Sequence, residues 1–388
     1  MTSFRVDWCA GPNVQIELFE EPAAQGLGFR YTPRFRATLR PPVEVLPLTE
    51  MHLRSASQGL KELTVMASTL RSAARDLAAP GSPMVEGPFE WELHSLGGLL
   101  YDLVMTDAAR NDLRPANCFI DFGVGERMQH FPWELMHDGE EFICLKHSFG
   151  RFVAGAAASP GLANPKAWFG DSLPTLSVLV ISVPQPQPRA DSRQTYPPLR
   201  SAELETQAIV RTLSAIGNVE VTVLAGKDAT GAAVTNALRR GRFQIIHYCG
   251  HASYNETQPL NSALVLWDAD LPAGVAQRLF VRAQPVLCFV NACETARLPD
   301  EGALNVYSLA RAFLDTGAYL IGSRWKLDDH AASTFASSFY EELLGQGAAL
   351  GNAMRAGRLA ARTTIASDHL GWGAYVLYGD PRLCFRRD

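Results

Sequence analysis

Apolar β-branched runs alternate with amphipathic stretches along this chain, and the alternation predicts most of its elements. Residues 1 to about 45 read as strands: VQIELFEE alternates apolar and polar positions, and FRYTPRFRATLR places aromatics and arginines at period two. From Thr49 to about Ala78 the period turns helical, and APGSP at Ala79 to Pro83 closes it. A second helical segment, FEWELHSLGGLLYDLVM, precedes a strand in NCFIDFG. HFPWELMHDGEEFICLKHSFGRFV reads as strand and turn segments around Asp138-Gly139.

Near Ala163 the rhythm changes. LSVLVISV, Leu176 to Val183, is a continuous β-branched run of the kind buried on both faces of a sheet. After the Pro-rich PQPQPRADSRQTYPP comes a helix from about Ala202 to Ile216, with Leu204, Ala208, Leu213 and Ile216 on one stripe and Gly217 at its end. VEVTVLAG predicts a strand and TGAAVTNALRRG a helix N-capped by Thr230. FQIIHYC, SALVLWD, PVLCFVNAC and AYLIGS predict further strands. Helices are expected over about 304–316, 331–344 and 348–361, ahead of GAYVLYGDP. Strands alternating with helices imply an α/β fold with a mostly parallel sheet and helices on both faces. No period of 20 to 50 residues recurs, so the chain carries no repeat array of its own.

Ligands in open α/β sheets bind outside the carboxyl ends of the strands. Two strands here end in reactive residues: IIHYCGHAS carries His251, and LCFVNACETAR carries Cys293. If the strands are neighbours, both residues face one crevice. Packing alone asks for neither a histidine nor a Cys-Glu-Thr at such an end. His247, inside the apolar run, reads as a satisfied core histidine and Cys249 as structural. A zinc site on His247, Cys249 and His251 places all three on one face of a strand. Its outer members then lie ~13 Å apart, too far for one ion unless the chain turns at Gly250. AGKDATG, Ala225 to Gly231, lacks the first glycine of a phosphate loop and has Asp228 where Ser or Thr belongs.

Composition narrows the classes. The 388 residues are 47% hydrophobic, enough for a sizeable core. The net charge of −5 and pI of about 6.0, with no aromatic-interleaved basic run, give no footprint for nucleic acid. Neither a secretory leader nor an apolar membrane span is recognisable, so a soluble cytoplasmic protein is expected. Seven widely spaced cysteines without a C-x-x-C argue against a disulfide framework or zinc ribbon.

FPWELMHDGEEFI, FQIIHYCGHAS, VNACETA, LARAFLDTGAYLIGSRWKLDD and GWGAYVLYGDP, in this order, resemble the CHAT family of caspase-like cysteine peptidases, related to caspases and separases. The resemblance spans roughly Phe89 to Asp380. It implies a caspase-like three-layer sandwich, divided into an N-terminal β-plus-helix module (1–85), an accessory, pseudo-caspase-like half (86–165) and a catalytic α/β domain (166–388). The family's second H-x-x-x-H-G histidine carries over to His251 and its nucleophile to Cys293. The implied oxyanion hole is the backbone N–H of Ala252 and of Cys293. The family has glycine where Ala252 stands, which alanine replaces at no cost unless the position needs φ > 0. This departure keeps a second reading open, a catalytically silent caspase-like binding and regulatory module.

The resemblance implies a cysteine endopeptidase acting on a specific protein substrate, without metal or organic cofactor, in a context of prokaryotic anti-phage defence. The tetratricopeptide repeats that usually accompany the family are missing, so a separate repeat protein is the expected activating partner. SYNETQPLN and RLPDEG, after the two site residues, are polar and Pro/Gly-bearing, as expected for loops such a partner orders. In related families that cut after Arg or Lys, an acid two positions before the nucleophile lines the primary pocket. That position is the neutral Asn291. With Trp325 as a wall and Asp328 as the nearest motif acid, a neutral or apolar residue before the cut is expected, unless another acid reaches Asn291.

Overall fold

The computed structural model describes residues 3–21, 26–32, 44–46, 87–115, 117–125, 128–129, 131–153, 172–188, 196–253, 261–292, 313–325, 329–364 and 370–387. The chain starts with β1 (Phe4–Trp8), β2 (Asn13–Glu21), β3 (Gly26–Thr32) and β4 (Glu44–Leu46), as the early alternation predicts. The helix expected over 49–78 lies outside the described residues. Then follow α1 (Gly87–Val104), α2 (Asp107–Leu113), β5 (Phe119–Val124), a 3-10 turn at Trp133–Leu135, α3 (Ile143–Lys146) and β6 (Ser148–Val153).

The second half holds β7 (Leu176–Ser182), α4 (Arg200–Ser214), β8 (Val219–Ala225), α5 (Gly231–Arg240), β9 (Ile245–Gly250) and β10 (Ala252–Ser253). It continues through β11 (Ala263–Val265), β12 (Asp270–Pro272), α6 (Ala273–Ala283), β13 (Leu287–Ala292) and β14 (Tyr319–Ser323). It closes with α7 (Asp329–Tyr340), α8 (Leu350–Thr364), β15 (Tyr375–Tyr378) and β16 (Leu383–Arg387).

One eleven-stranded sheet runs in the order β4-β3-β2-β5-β6-β15-β14-β13-β9-β7-β8. Its ladders are parallel except β2–β3, β3–β4 and β14–β15. One face carries a core that takes in Leu213 of α4, Phe335 and Phe339 of α7 and Met354 of α8. The other face packs Val234 and Leu238 of α5 and Phe280 of α6. This is the expected three-layer α/β arrangement. Strands of the expected N-terminal module join the same sheet through β2–β5, and β1 pairs with β16 near the chain end. Among the described residues no helix is long and apolar enough to cross a membrane.

Local expectations hold where patterns are strong. Thr230 caps α5, its Oγ1 accepting from the Ala233 N–H at 3.1 Å. Three differ. SALVLWD joins a side sheet, β10-β11-β12, rather than the main one. HFPWELMHDGEEFICLKHSFGRFV contains helical turns as well as its strand, because Pro132 starts a tight turn and Phe142 another. The helix α6 was not expected: its buried stripe, Ala273, Ala276, Phe280 and Ala283, is mostly alanine and carries little hydrophobic signal.

The two halves of the sheet meet at a single pairing, Tyr378 with Arg151. Arg151 is fully buried and ion-paired with Glu134, which is equally buried. Its Nε donates to Glu134 Oε1 at 2.7 Å, and its terminal nitrogens donate to the Gln129 and Phe131 carbonyls at 3.1 and 2.9 Å. The PWEL segment thus folds around one guanidinium, and Arg324, after β14, donates to the same Gln129 carbonyl at 3.1 Å. Gly150 is required beside this seam: a Cβ there would stand 2.4 Å from the Gly379 carbonyl oxygen.

Removing one member of a buried ion pair leaves the other uncompensated. Glu134→Ala should cost about 3–5 kcal/mol in urea unfolding; a loss below about 1 kcal/mol would show that the seam does not depend on the pair. Nearby, burial and then the Asp380 carboxylate push Asp121 up to about 6, against the hydrogen bond from Asn13. The folded state therefore holds an extra proton, and the stability this gives is present below about pH 4 and lost as pH rises through about 6. Asp121→Asn should flatten that part of the stability–pH curve; an unchanged slope between pH 4 and 6 would contradict it.

Candidate active site

β9 and β13 are adjacent and parallel, in register from Leu287↔Ile245 to Ala292↔Gly250. The two reactive strand ends are thus neighbours, as the crevice argument requires. One residue beyond the last pair is His251 on one strand. On the other it is Cys293, which lies outside the described residues.

His251 is 1% exposed and held on all sides. Its backbone carbonyl accepts from the Tyr248 hydroxyl at 2.5 Å and from the Val265 N–H at 2.9 Å. Its ring packs against Tyr196, centroids 5.0 Å apart, and Nε2 lies 2.8 Å from the Pro197 carbonyl oxygen. A carbonyl only accepts, so Nε2 carries the proton and the neutral ring keeps its lone pair at Nδ1. That tautomer suits a base. Pro197 acts through a backbone atom, which no sequence motif marks. Tyr248 did carry a signal, since a tyrosine inside a buried strand needs a partner for its hydroxyl.

Ala252 opens β10, paired with Leu264 of β11. The described non-glycine residues with positive φ are Asn117, Asn218 and Gln284. Ala252 is therefore in extended backbone, where alanine and glycine serve alike, and the conformational objection to alanine does not arise.

Behind His251, on the face covered by α4 and α7, lies a second buried polar group. His247 is fully buried, with Nδ1 2.9 Å from the Tyr340 hydroxyl and Nε2 3.2 Å from Glu205 Oε1. Its ring packs on Phe289, centroids 4.5 Å apart. This is the satisfied core histidine the sequence suggests. Asn291, 1% exposed, donates from Nδ2 to Glu205 Oε2 at 2.6 Å.

Glu205, His247 and Cys249 offer ligand atoms within 4.8 Å of one another. The zinc set weighed from sequence is thus split: His247 and Cys249 meet Glu205, while His251 turns to Pro197. The donor types suit zinc, but the spacing suits hydrogen bonds. His247 Nε2 is 3.1 Å from Cys249 Sγ and 3.2 Å from Glu205 Oε1. Two ligands of one tetrahedral zinc stand roughly 3.3–3.8 Å apart. Both Glu205 oxygens already accept, one from an imidazole and one from an amide. We read the group as a polar network.

Trp325 is buried in the larger core, its indole N–H donating to the Leu370 carbonyl at 3.0 Å. Asp328 lies outside the described residues, as do the segments YNETQPL and ETARLPD.

The three-layer arrangement around one large, mostly parallel sheet resembles the caspase-like folds. A family model for the CHAT domain matches residues 94–380, and the chain belongs to the CHAT domain family. Among solved structures it is similar to the separase–securin complex of Saccharomyces cerevisiae, with TM-score 0.54 and 12% identity over 95% of this chain and 30% of that one. It is also similar to the Arg-specific cysteine proteinase gingipain R, with TM-score 0.49 and 15% identity over 81% and 71% of the two chains. At such identities the likeness to separase is one of fold, and the chain spans 30% of the separase chain's length. No curated protein matches.

Tyr248→Phe keeps the ring and removes the hydroxyl shared by the His251 and Val265 carbonyls. It should cost about 1–2 kcal/mol of stability; an unchanged urea midpoint would show that His251 is held by its other contacts.

Proposed function

We propose that the chain is a cysteine endopeptidase in which His251 and Cys293 form the catalytic dyad. The supporting observation is the placement of His251. The Pro197 carbonyl fixes the tautomer with its lone pair at Nδ1 and the Tyr248 hydroxyl holds its backbone, at the strand end next to the one that leads into Cys293. Nδ1 takes the thiol proton and the Cys293 sulfur attacks the scissile carbonyl carbon, forming a tetrahedral oxyanion. The backbone N–H groups of Ala252 and Cys293 hold that oxyanion. His251 passes its proton to the leaving amine as the C–N bond breaks, and water then hydrolyses the thioester with the same residue as base.

Asn291, Trp325 and Asp328 are the proposed substrate-binding residues, with Asn291 lining the primary pocket. Activity is proposed to wait on a separate protein partner, a repeat protein. The proposed setting is prokaryotic anti-phage defence. The polar segments that follow His251 and Cys293 support partner control, because a free peptidase inside a cell must be restrained.

The test is to collect new protein N-termini from host cells carrying the wild type or Cys293→Ala. A small set of cuts seen with wild type and lost in Cys293→Ala and His251→Ala supports the reading. Cuts that persist at wild-type rate in Cys293→Ala would remove it.

A further inference from the structure

The buried network behind His251 bears on what the primary pocket accepts. Glu205, on α4, is 1% exposed, and it is hydrogen-bonded to His247 and Asn291. A carboxylate only accepts hydrogen bonds, so the Asn291 amide must turn its Nδ2 toward Glu205. Asn291 Oδ1 is thereby turned away. It is buried and has no hydrogen-bond partner among the described residues. A buried acceptor left unpaired is costly and marks a place for a donor.

The charge balance says which donor. The Tyr340 hydroxyl can donate a hydrogen bond to His247 Nδ1, which leaves Nε2–H to donate to Glu205. The carboxylate stands one amide away from the unpaired oxygen. The hydrogen bond from Nδ2 to the carboxylate also polarises the amide and makes Oδ1 a stronger acceptor. An apolar side chain would leave both the acceptor and the charge uncompensated.

We infer that Glu205 is a positioning residue that, through Asn291, sets the primary pocket to take a basic side chain, lysine or arginine. This rests on the peptidase reading above, in which Asn291 lines that pocket. Read from sequence, Asn291 pointed to a neutral or apolar residue unless another acid reached it. Glu205, 86 positions away, is that acid.

The test uses the Cys293→Ala chain and three fluorescein-labelled peptide amides, Ala-Ala-X, with X as lysine, glutamine or norleucine. Anisotropy titration should show the lysine peptide binding at least about tenfold tighter than the norleucine peptide, with glutamine between them. Adding Glu205→Gln should bring the lysine-to-norleucine ratio to within about threefold. Each ratio is taken within one variant, so a general loss of stability cancels. If Glu205→Gln does not fold, Asn291→Leu decides instead, and should remove the advantage of both lysine and glutamine. Norleucine binding as well as lysine, a ratio unmoved by Glu205→Gln, or no binding of any peptide overturns the inference. Failure of Cys293 in the otherwise wild-type chain to react with a peptide acyloxymethyl ketone, both alone and in host-cell extract that supplies the proposed partner, would count against the peptidase reading alone, leaving these ratios as they stand.

Discussion

The parallel pairing of β13 with β9 is the constraint on which the site depends. A one-residue slip would turn every side chain of β13 to the opposite face. Asn291 would then leave Glu205 and enter the core around Phe280, and the strand end leading to Cys293 would no longer match the one carrying His251. The register is held from both faces. Phe289 packs on His247 and Tyr375 on one side, and Cys288 and Val290 lie in the core beneath α5 and α6 on the other. Nearly every residue of the pair is buried, which is why the pairing tolerates so little.

Two knots of buried polar groups lie around that register. One is the Arg151–Glu134 pair, which joins the halves of the sheet where they share a single pairing. The other is Glu205 with His247, Asn291 and Tyr340, which ties α4 and α7 to the strands that carry the site. Such networks, fully engaged, specify one arrangement of helices over the sheet more sharply than apolar packing alone. In the second, one acceptor, Asn291 Oδ1, has no described partner, and it sits at the last but one residue before Cys293.

The legible parts of the sequence were those written in strand periodicity and strand ends. LSVLVIS and LCFVNA are too apolar for anything but a sheet covered on both faces, and His251 stood out because packing does not call for it. Glu205 was not legible. In SAELETQ it reads as one of several charges on a solvated helix face, and only the docking of α4 over β9 buries it. Pro197 contributes a carbonyl oxygen, which every residue has. The helix α6 hid because alanine fills its buried stripe. The side sheet hid because its strands, two and three residues long, are set by the partner across the turn rather than by their own pattern.

The central claim is that His251 acts on the Cys293 thiol. It is tested most directly by the rate of Cys293 alkylation with iodoacetamide as a function of pH, read by mass spectrometry, in the wild type and in His251→Ala. A thiol beside a partnered histidine reacts with an inflection well below the ordinary cysteine value of about 8.5, and loses that inflection when the imidazole is removed. The account predicts this pair of curves. Superimposable curves, both with the inflection of an ordinary thiol, would contradict it.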